Sequence, residues 1–304
     1  MTRQSALHDA LVAQARCLAK MARDEDLGSG DITGSLLQEP GEGRGRGRFR
    51  LLAKQEGVFA GREIAQAVLD VYESGLAVSW LAGGEDGTVL TDCPVELAYV
   101  EGPVSELLAA ERVLLNFLQR LCGVATLTRR FVDAVAGTGA VIMDTRKTTP
   151  GWRLLEKYAV RCGGGWNHRM GLYDAILIKD NHLAAFTVEQ TGAAVTDLLK
   201  RAASLKPPPA FVEVEADCLA RVEQLLRVAG VDVVMLDNFA VADVRRAVEL
   251  RDTLDLRDKV KLEASGGVTL DTVRSIAATG VDRISIGAIT HSAVALDLSL
   301  KRVE

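Results

Sequence analysis

The chain has 304 residues, 48% hydrophobic and 25% charged, enough to bury a sizeable core in one large domain or two. A formal net charge of −5 gives no broad electrostatic case for nucleic acid or acidic membranes, and no apolar run reaches the roughly 18 residues of a membrane span. Cys17, Cys93, Cys122, Cys162 and Cys218 form no CxxC pair and read as reduced thiols of a cytoplasmic protein, while Arg3, Asp9, Arg16 and Lys20 interrupt any signal-peptide core.

Taken in chain order, Leu7, Leu11, Ala15 and Leu18 recur at helical spacing and predict an amphipathic helix ending before Gly28-Ser29-Gly30. The stretch 41–50 alternates glycine with Arg44, Arg46, Arg48 and Arg50. It reads as a loop entering an exposed edge strand with the arginines on one solvated face, and RNA binding is the alternative. A strand and glycine break over 48–61 lead to a helix over 63–72, and short strands with glycine turns continue to Gly102. A helix over 106–121 follows, with Leu107, Leu114, Leu118 and Leu121 on one apolar stripe and Arg112, Asn116 and Gln119 on a polar face.

From Ala140 onward, apolar strands at 140–144, 175–178, 210–215, 231–236, 260–263 and 281–286 alternate with helical segments, which argues for parallel strands with crossover helices. Each strand ends in groups suited to chemistry: Arg146-Lys147, Lys179-Asp180-Asn181, Glu213 and Glu215, Asp237-Asn238, Glu263 with Ser265, and Gly287. In a barrel that edge is the catalytic rim. Six strands rather than eight predict an incomplete α/β barrel, with a doubly wound open sheet as the alternative.

The densest chemistry lies in Asp144-Thr-Arg-Lys-Thr-Thr-Pro-Gly151, in Gly163-Gly-Gly-Trp-Asn-His-Arg-Met-Gly-Leu172 and in Ile178-Lys-Asp-Asn-His182. From Asp144 to His182 there are seven Arg or Lys against four Asp or Glu, so positive charge concentrates where anions can bind. Thr145, Thr148 and Thr149 offer hydroxyl donors, and Gly163 to Gly165 let backbone amides approach an anion. Glu213 and Glu215 are two apart and share a side, with Asp237 at the next strand end. They read either as ion-pair partners of the basic strand ends or as a Mg²⁺ site completed by water and substrate phosphates. Ser265-Gly266-Gly267 and Ile286-Gly287-Ala288 are similar to the phosphate-gripping loops of barrel enzymes.

These three segments resemble the signature of the quinolinate phosphoribosyltransferases, the type II phosphoribosyltransferases. The likeness extends to Glu25-Asp-Leu-Gly-Ser-Gly-Asp-Ile-Thr33, Glu111-Arg-Val-Leu-Leu-Asn116, Val212-Glu-Val-Glu215, Leu236-Asp-Asn238, Ala264-Ser-Gly-Gly267 and Ile286-Gly-Ala288. The resemblance implies an N-terminal α/β sandwich domain over 1–115, joined by 292–304, and an incomplete barrel over 116–291. It also implies a homodimer with shared active sites, open to further assembly. It gives quinolinate to Arg112 of the neighbouring subunit and to Arg146, His168 and Arg169. Lys147, Lys179, Glu215, Asp237 and the two glycine loops would serve phosphoribosyl pyrophosphate and Mg²⁺, with Lys147, Lys179, Glu215 and Asp237 closest to the chemistry and Glu215 and Asp237 on the metal. Within the superfamily the rival is a paralogue with a different base, such as the molybdenum-transport-associated relatives; Arg112 and Arg169 argue against it, because a monoacid or neutral base does not require so many cations.

Overall fold

The computed structural model describes residues 3–36, 45–72 and 75–303, so residues 41–44 of the glycine-rich stretch, Arg44 among them, lie outside the described residues. The chain divides into two compact units. One comprises Met1–Arg129, Thr148–Gly164 and Ile289–Glu304, the other Arg130–Lys147 and Gly165–Ala288.

The first unit carries strands β1 (Arg46–Ala53), β2 (Gly57–Val58), β3 (Ala77–Trp80), β4 (Val89–Leu90) and β5 (Val95–Pro103). The second carries β6 (Val141–Met143), β7 (Ile176–Ile178), β8 (Val212–Ala216), β9 (Val233–Asp237), β10 (Lys261–Ser265) and β11 (Arg283–Ser285), and the chain closes with β12 (Leu298–Arg302) in the first.

In the first unit an antiparallel sheet runs β12-β1-β5-β3. The expectation that 41–50 enters an exposed edge strand is therefore corrected: β1 is paired on one side by β5 and on the other by β12, from the far end of the chain. Its arginines do share a solvated face, where Arg48 pairs with Glu101 at 2.9 Å and stacks on Tyr99, and Arg50 pairs with Glu96. Phe49 and Leu51 alternate with them and are buried.

The first helix, Arg3–Leu27, ends before Gly28 as its spacing predicts, and buries Leu11, Ala15 and Ala19, while Leu7 is exposed. The helix Val104–Ala134 is longer than its leucine stripe predicts. Past Leu121 it continues on small residues, because at Gly123 a Cβ would stand 2.1 Å from the carbonyl oxygen of Val294. Among the described residues no helix is long and apolar enough to cross a membrane.

The second unit is a six-stranded parallel sheet in the order β6-β11-β10-β9-β8-β7. Strands β7 to β11 are neighbours in sequence order, and the first strand pairs with the last. That cyclic order belongs to a barrel left open between β6 and β7, since a doubly wound sheet reverses direction at a switch point. The open side of β6 is bridged instead by Trp166, whose N–H donates to Ile142 O at 2.8 Å.

Strand parity sorts the side chains. Val212, Val214, Val234, Leu236, Leu262, Ala264 and Ile284 are all buried on the face away from the polar rows. Their alternates Glu213 and Glu215, Met235 and Asp237, Glu263 and Ser265, and Arg283 and Ser285 share the other face, as the in-register pairs Glu215 with Met235, Glu263 with Arg283 and Ser265 with Ser285 require.

Candidate active site

At the C-terminal ends of these strands a cavity of about 490 Å³ opens within the second unit. After β6 it receives Thr145, Arg146 and Lys147; beside them stand His168 and Arg169. Leu177 of β7 is followed by Lys179 and Asp180, Glu215 comes from β8, and Met235, Asp237 and Asn238 from β9. Ser265, Gly266 and Gly267 end β10, and Ser285 ends β11. A three-dimensional cavity thus collects side chains that are scattered over more than half of the second unit.

Other expected residues fall elsewhere. Arg112 lines a separate cavity, also about 490 Å³, in the first unit, together with Asn116, Arg120 and the stacked Phe117 and Trp152. Ile286 is buried, and its N–H donates to Met143 O at 3.0 Å, so the β11 side chain in the cavity is Ser285 rather than 286–288. The middle of the basic segment, 148–164, belongs to the first unit. There Thr149 donates to the buried Glu156, and Gly163 is a packing residue whose added Cβ would meet Ala125 O at 2.4 Å.

Local structure explains how the cationic wall is held. Asp144 is fully buried and accepts the His168 N–H at 2.9 Å and the Asn167 side-chain amide at 2.6 Å, which fixes 167–169 beside the end of β6. Arg169 is itself buried, with its guanidinium donating to Ala175 O at 3.2 Å. Burial and the neighbouring Arg146 cation push Arg169 below the ordinary arginine range. Two crowded guanidinium groups in a concave site favour an anion, above all a planar carboxylate that accepts paired hydrogen bonds.

The acidic side is built differently. Burial raises Glu215 above the usual carboxylate range against the opposing pull of Lys179, and Asp237 and Asp180 add to the rise; Glu215 Oε2 also accepts the Asp180 N–H at 3.3 Å. Asn238 takes a left-handed conformation, φ 56°, and its side-chain amide donates to Asp237 Oδ2 at 2.9 Å. Its N–H donates to Ser265 O at 2.9 Å, so the β9 and β10 loops interlock. Gly266, φ +96°, must be glycine here because a Cβ would lie 2.1 Å from Asn238 Oδ1.

Under the cavity lies a buried floor of His168, Glu213 and Glu263, whose potential ligand atoms fall within 4.8 Å of one another. Burial pushes Glu213 up to about 8 and Glu263 up to about 7, the latter helped by the negative charge of Glu213. Sequence reading placed Glu213 beside Glu215 on one side of a strand, but not at a deeper level. It passed over Ser285 and the structural part of Asp144. Alternation with the apolar Ile284 and Ile286 was the available signal for Ser285.

An open parallel barrel whose strand ends gather arginines, lysines and carboxylates around one cavity defines an α/β-barrel enzyme for anionic ligands. Residues 124–301 match the family description "Quinolinate phosphoribosyl transferase, C-terminal domain", and 31–122 match its "N-terminal domain". A Bacillus subtilis protein described as a probable nicotinate-nucleotide pyrophosphorylase [carboxylating] is 40% identical over 276 residues, 91% of this chain and 89% of that one. The Mycobacterium leprae protein described by the same activity is 42% identical over 82% of this chain and 84% of its own. The solved structure of the nicotinate-nucleotide pyrophosphorylase from Francisella tularensis superposes with a TM-score of 0.83 at 36% identity, covering 95% of this chain and 96% of that one. The chain belongs to the quinolinate phosphoribosyltransferase family.

Proposed function

We propose that this chain transfers the phosphoribosyl group of phosphoribosyl pyrophosphate to quinolinate with decarboxylation, giving nicotinate mononucleotide, pyrophosphate and CO₂, a step of NAD biosynthesis. The observation that carries this reading is the crowding of Arg146 and Arg169 in the same cavity as Lys147, Lys179, Glu215 and Asp237. A pyridine with two adjacent carboxylates offers each guanidinium group a planar anionic acceptor, and a base with one carboxylate offers such an acceptor to one of them at most.

In the reaction the pyridine nitrogen attacks the anomeric carbon, the bond from that carbon to pyrophosphate breaks, and its electron pair leaves with pyrophosphate. Lys147 and Lys179 stabilise the charge that grows there. Holding nitrogen and anomeric carbon at attack distance lowers the barrier by on the order of 7–11 kcal/mol. The nitrogen is then cationic, so the electrons released as the C2–carboxylate bond breaks stay next to a positive centre, and C2 takes up a proton. Ser265-Gly266-Gly267 at the end of β10 serves the phosphates, with Thr145 as a further donor and His168 at the quinolinate end.

Mg²⁺ prefers one or two carboxylates, waters and substrate phosphates over nitrogen ligands. Glu215 and Asp237 fit it, being carboxylates in one cavity and within each other's field. When bound, Mg²⁺ offsets negative charge on the pyrophosphate group. The His168, Glu213 and Glu263 set fits it poorly, with a nitrogen donor and a 2.7 Å contact of hydrogen-bond length.

The same reading makes the protein a homodimer in which Arg112 completes the partner's site. The unpaired cysteines support a cytoplasmic location.

The test is product analysis with quinolinate, phosphoribosyl pyrophosphate and Mg²⁺, with nicotinate and nicotinamide run in parallel. Nicotinate mononucleotide and CO₂ are expected in equal amounts from quinolinate alone. Equal kcat/KM for quinolinate and nicotinate would overturn the reading.

A further inference from the structure

Both ring nitrogens of His168 are engaged inside the protein. The Arg169 N–H lies 2.7 Å from Nδ1, and an amide N–H only donates, so Nδ1 accepts and carries no proton. The single proton of the neutral ring therefore sits on Nε2. Glu213 Oε2, 2.7 Å away, accepts it. Glu263 approaches the same nitrogen to 3.6 Å from β10, and both glutamate side chains are fully buried. Phe211 meets the imidazole in a T-shaped contact at a centroid distance of 5.5 Å.

We propose that Glu213, backed by Glu263, is a positioning residue for the dicarboxylate end of the cavity: it fixes His168 as the Nε2-protonated neutral ring, and that ring anchors the backbone from which Arg169 projects beside Arg146. The proposal rests on the reading that the cavity takes quinolinate. The chain of contacts runs from Glu213 through Nε2–H to the ring, and from Nδ1 to the Arg169 amide. Arg169 then has anchors at both ends, the imidazole at its backbone and Ala175 O at its guanidinium.

A proton on Nδ1 would set two N–H groups against each other at the Arg169 amide and remove one anchor. An acidic floor holds that proton on the other side of the ring. An apolar residue at 213 would offer Nε2 no acceptor and would leave the tautomer unfixed.

Two measurements test this. The chain has four histidines, so ¹⁵N-histidine labelling gives a small set of ring signals, and His168→Asn identifies the one of interest. Long-range ¹H–¹⁵N correlation at neutral pH is expected to show His168 protonated on Nε2 only, in the wild type and in Glu213→Gln, whose carboxamide oxygen still accepts. In Glu213→Leu that signature is expected to change. Calorimetry on the same proteins reads function: quinolinate affinity falls roughly tenfold or more in Glu213→Leu and within about threefold in Glu213→Gln, while phosphoribosyl pyrophosphate with Mg²⁺ binds as in the wild type. A wild-type His168 protonated on Nδ1, alone or together with Nε2, overturns the proposal, and that measurement stands even if Glu213→Leu does not fold. Equal loss of both ligands also overturns it, because a merely structural role predicts that result. If the wild type binds phosphoribosyl pyrophosphate but not quinolinate, the functional reading fails instead.

Discussion

Asp237 is followed by a left-handed residue, Asn238, whose side-chain amide occupies one oxygen of the Asp237 carboxylate. Asp237→Asn removes the charge while keeping the shape. Its expected effect is to weaken binding of Mg²⁺ and phosphoribosyl pyrophosphate about tenfold or more and to move quinolinate affinity by less than about threefold. Calorimetry with each ligand separately decides, and a collapse of quinolinate affinity with an unchanged metal response would show the assignment reversed. Glu263 gives a prediction about stability. Its carboxyl group rises from 4.5 to about 7 on folding, chiefly through burial, so the folded state binds its proton more tightly than the unfolded chain does. The stability this group contributes is full below the unfolded value and is lost as pH rises through about 7. Glu263→Gln should therefore be more stable than the wild type at about pH 8, by on the order of 3 kcal/mol at most, with little difference at about pH 4. Urea unfolding at the two pH values is the check. At this scale the sequence showed which residues share a face, because Glu213 and Glu215 obey strand parity. It did not show depth, which depends on how neighbouring strands are staggered, nor the positive φ of Asn238.

Helices and strands were legible wherever local periodicity decided them, and not where a distant segment did. The leucine stripe of 106–121 marks its helix, but the continuation to Ala134 passes through Cys122, Gly123, Val124 and Ala125, where small size rather than periodicity is the signal. Gly123 is buried where the chain at Val294 and Ala295 lies against it, while Cys122 meets Ala60 and Ala125 lies against Gly163. Gly123→Ala places a Cβ 2.1 Å from Val294 O and 2.8 Å from its carbonyl carbon, backbone atoms that no rotamer change moves away. The expected cost is about 1–3 kcal/mol, read as a lower urea midpoint with an unchanged slope. A midpoint equal to the wild type's would mean that the chain at 294 shifts freely. Strand β1 teaches the same lesson: its partner β12 comes from the other end of the sequence, so nothing local distinguishes an edge strand from a central one.

For the whole molecule, the choice between open barrel and doubly wound sheet depends on the pairing of β6 with β11, the first strand of the second unit with its last. Alternation of strands and helices leaves that choice open, and the chemistry-bearing groups at successive strand ends were what favoured the barrel. The family likeness bears on Arg112, which lines a cavity of the first unit while Arg146, Arg169 and Lys179 line the cavity of the second. Under the proposed two-fold dimer, each active site combines Arg112 of one subunit with Lys179 of the other. Arg112→Ala and Lys179→Ala proteins are each expected to be nearly inactive. In a mixed dimer of the two variants one site carries both defects and the other carries neither. With equal amounts and random exchange about half the dimers are mixed and half their sites intact, so roughly a quarter of wild-type activity should return. Subunit mixing after mild dissociation, with mass spectrometry to verify exchange, makes the measurement. If exchange is complete and activity stays at the level of the parent variants, Arg112 acts within its own subunit and the sites are not shared.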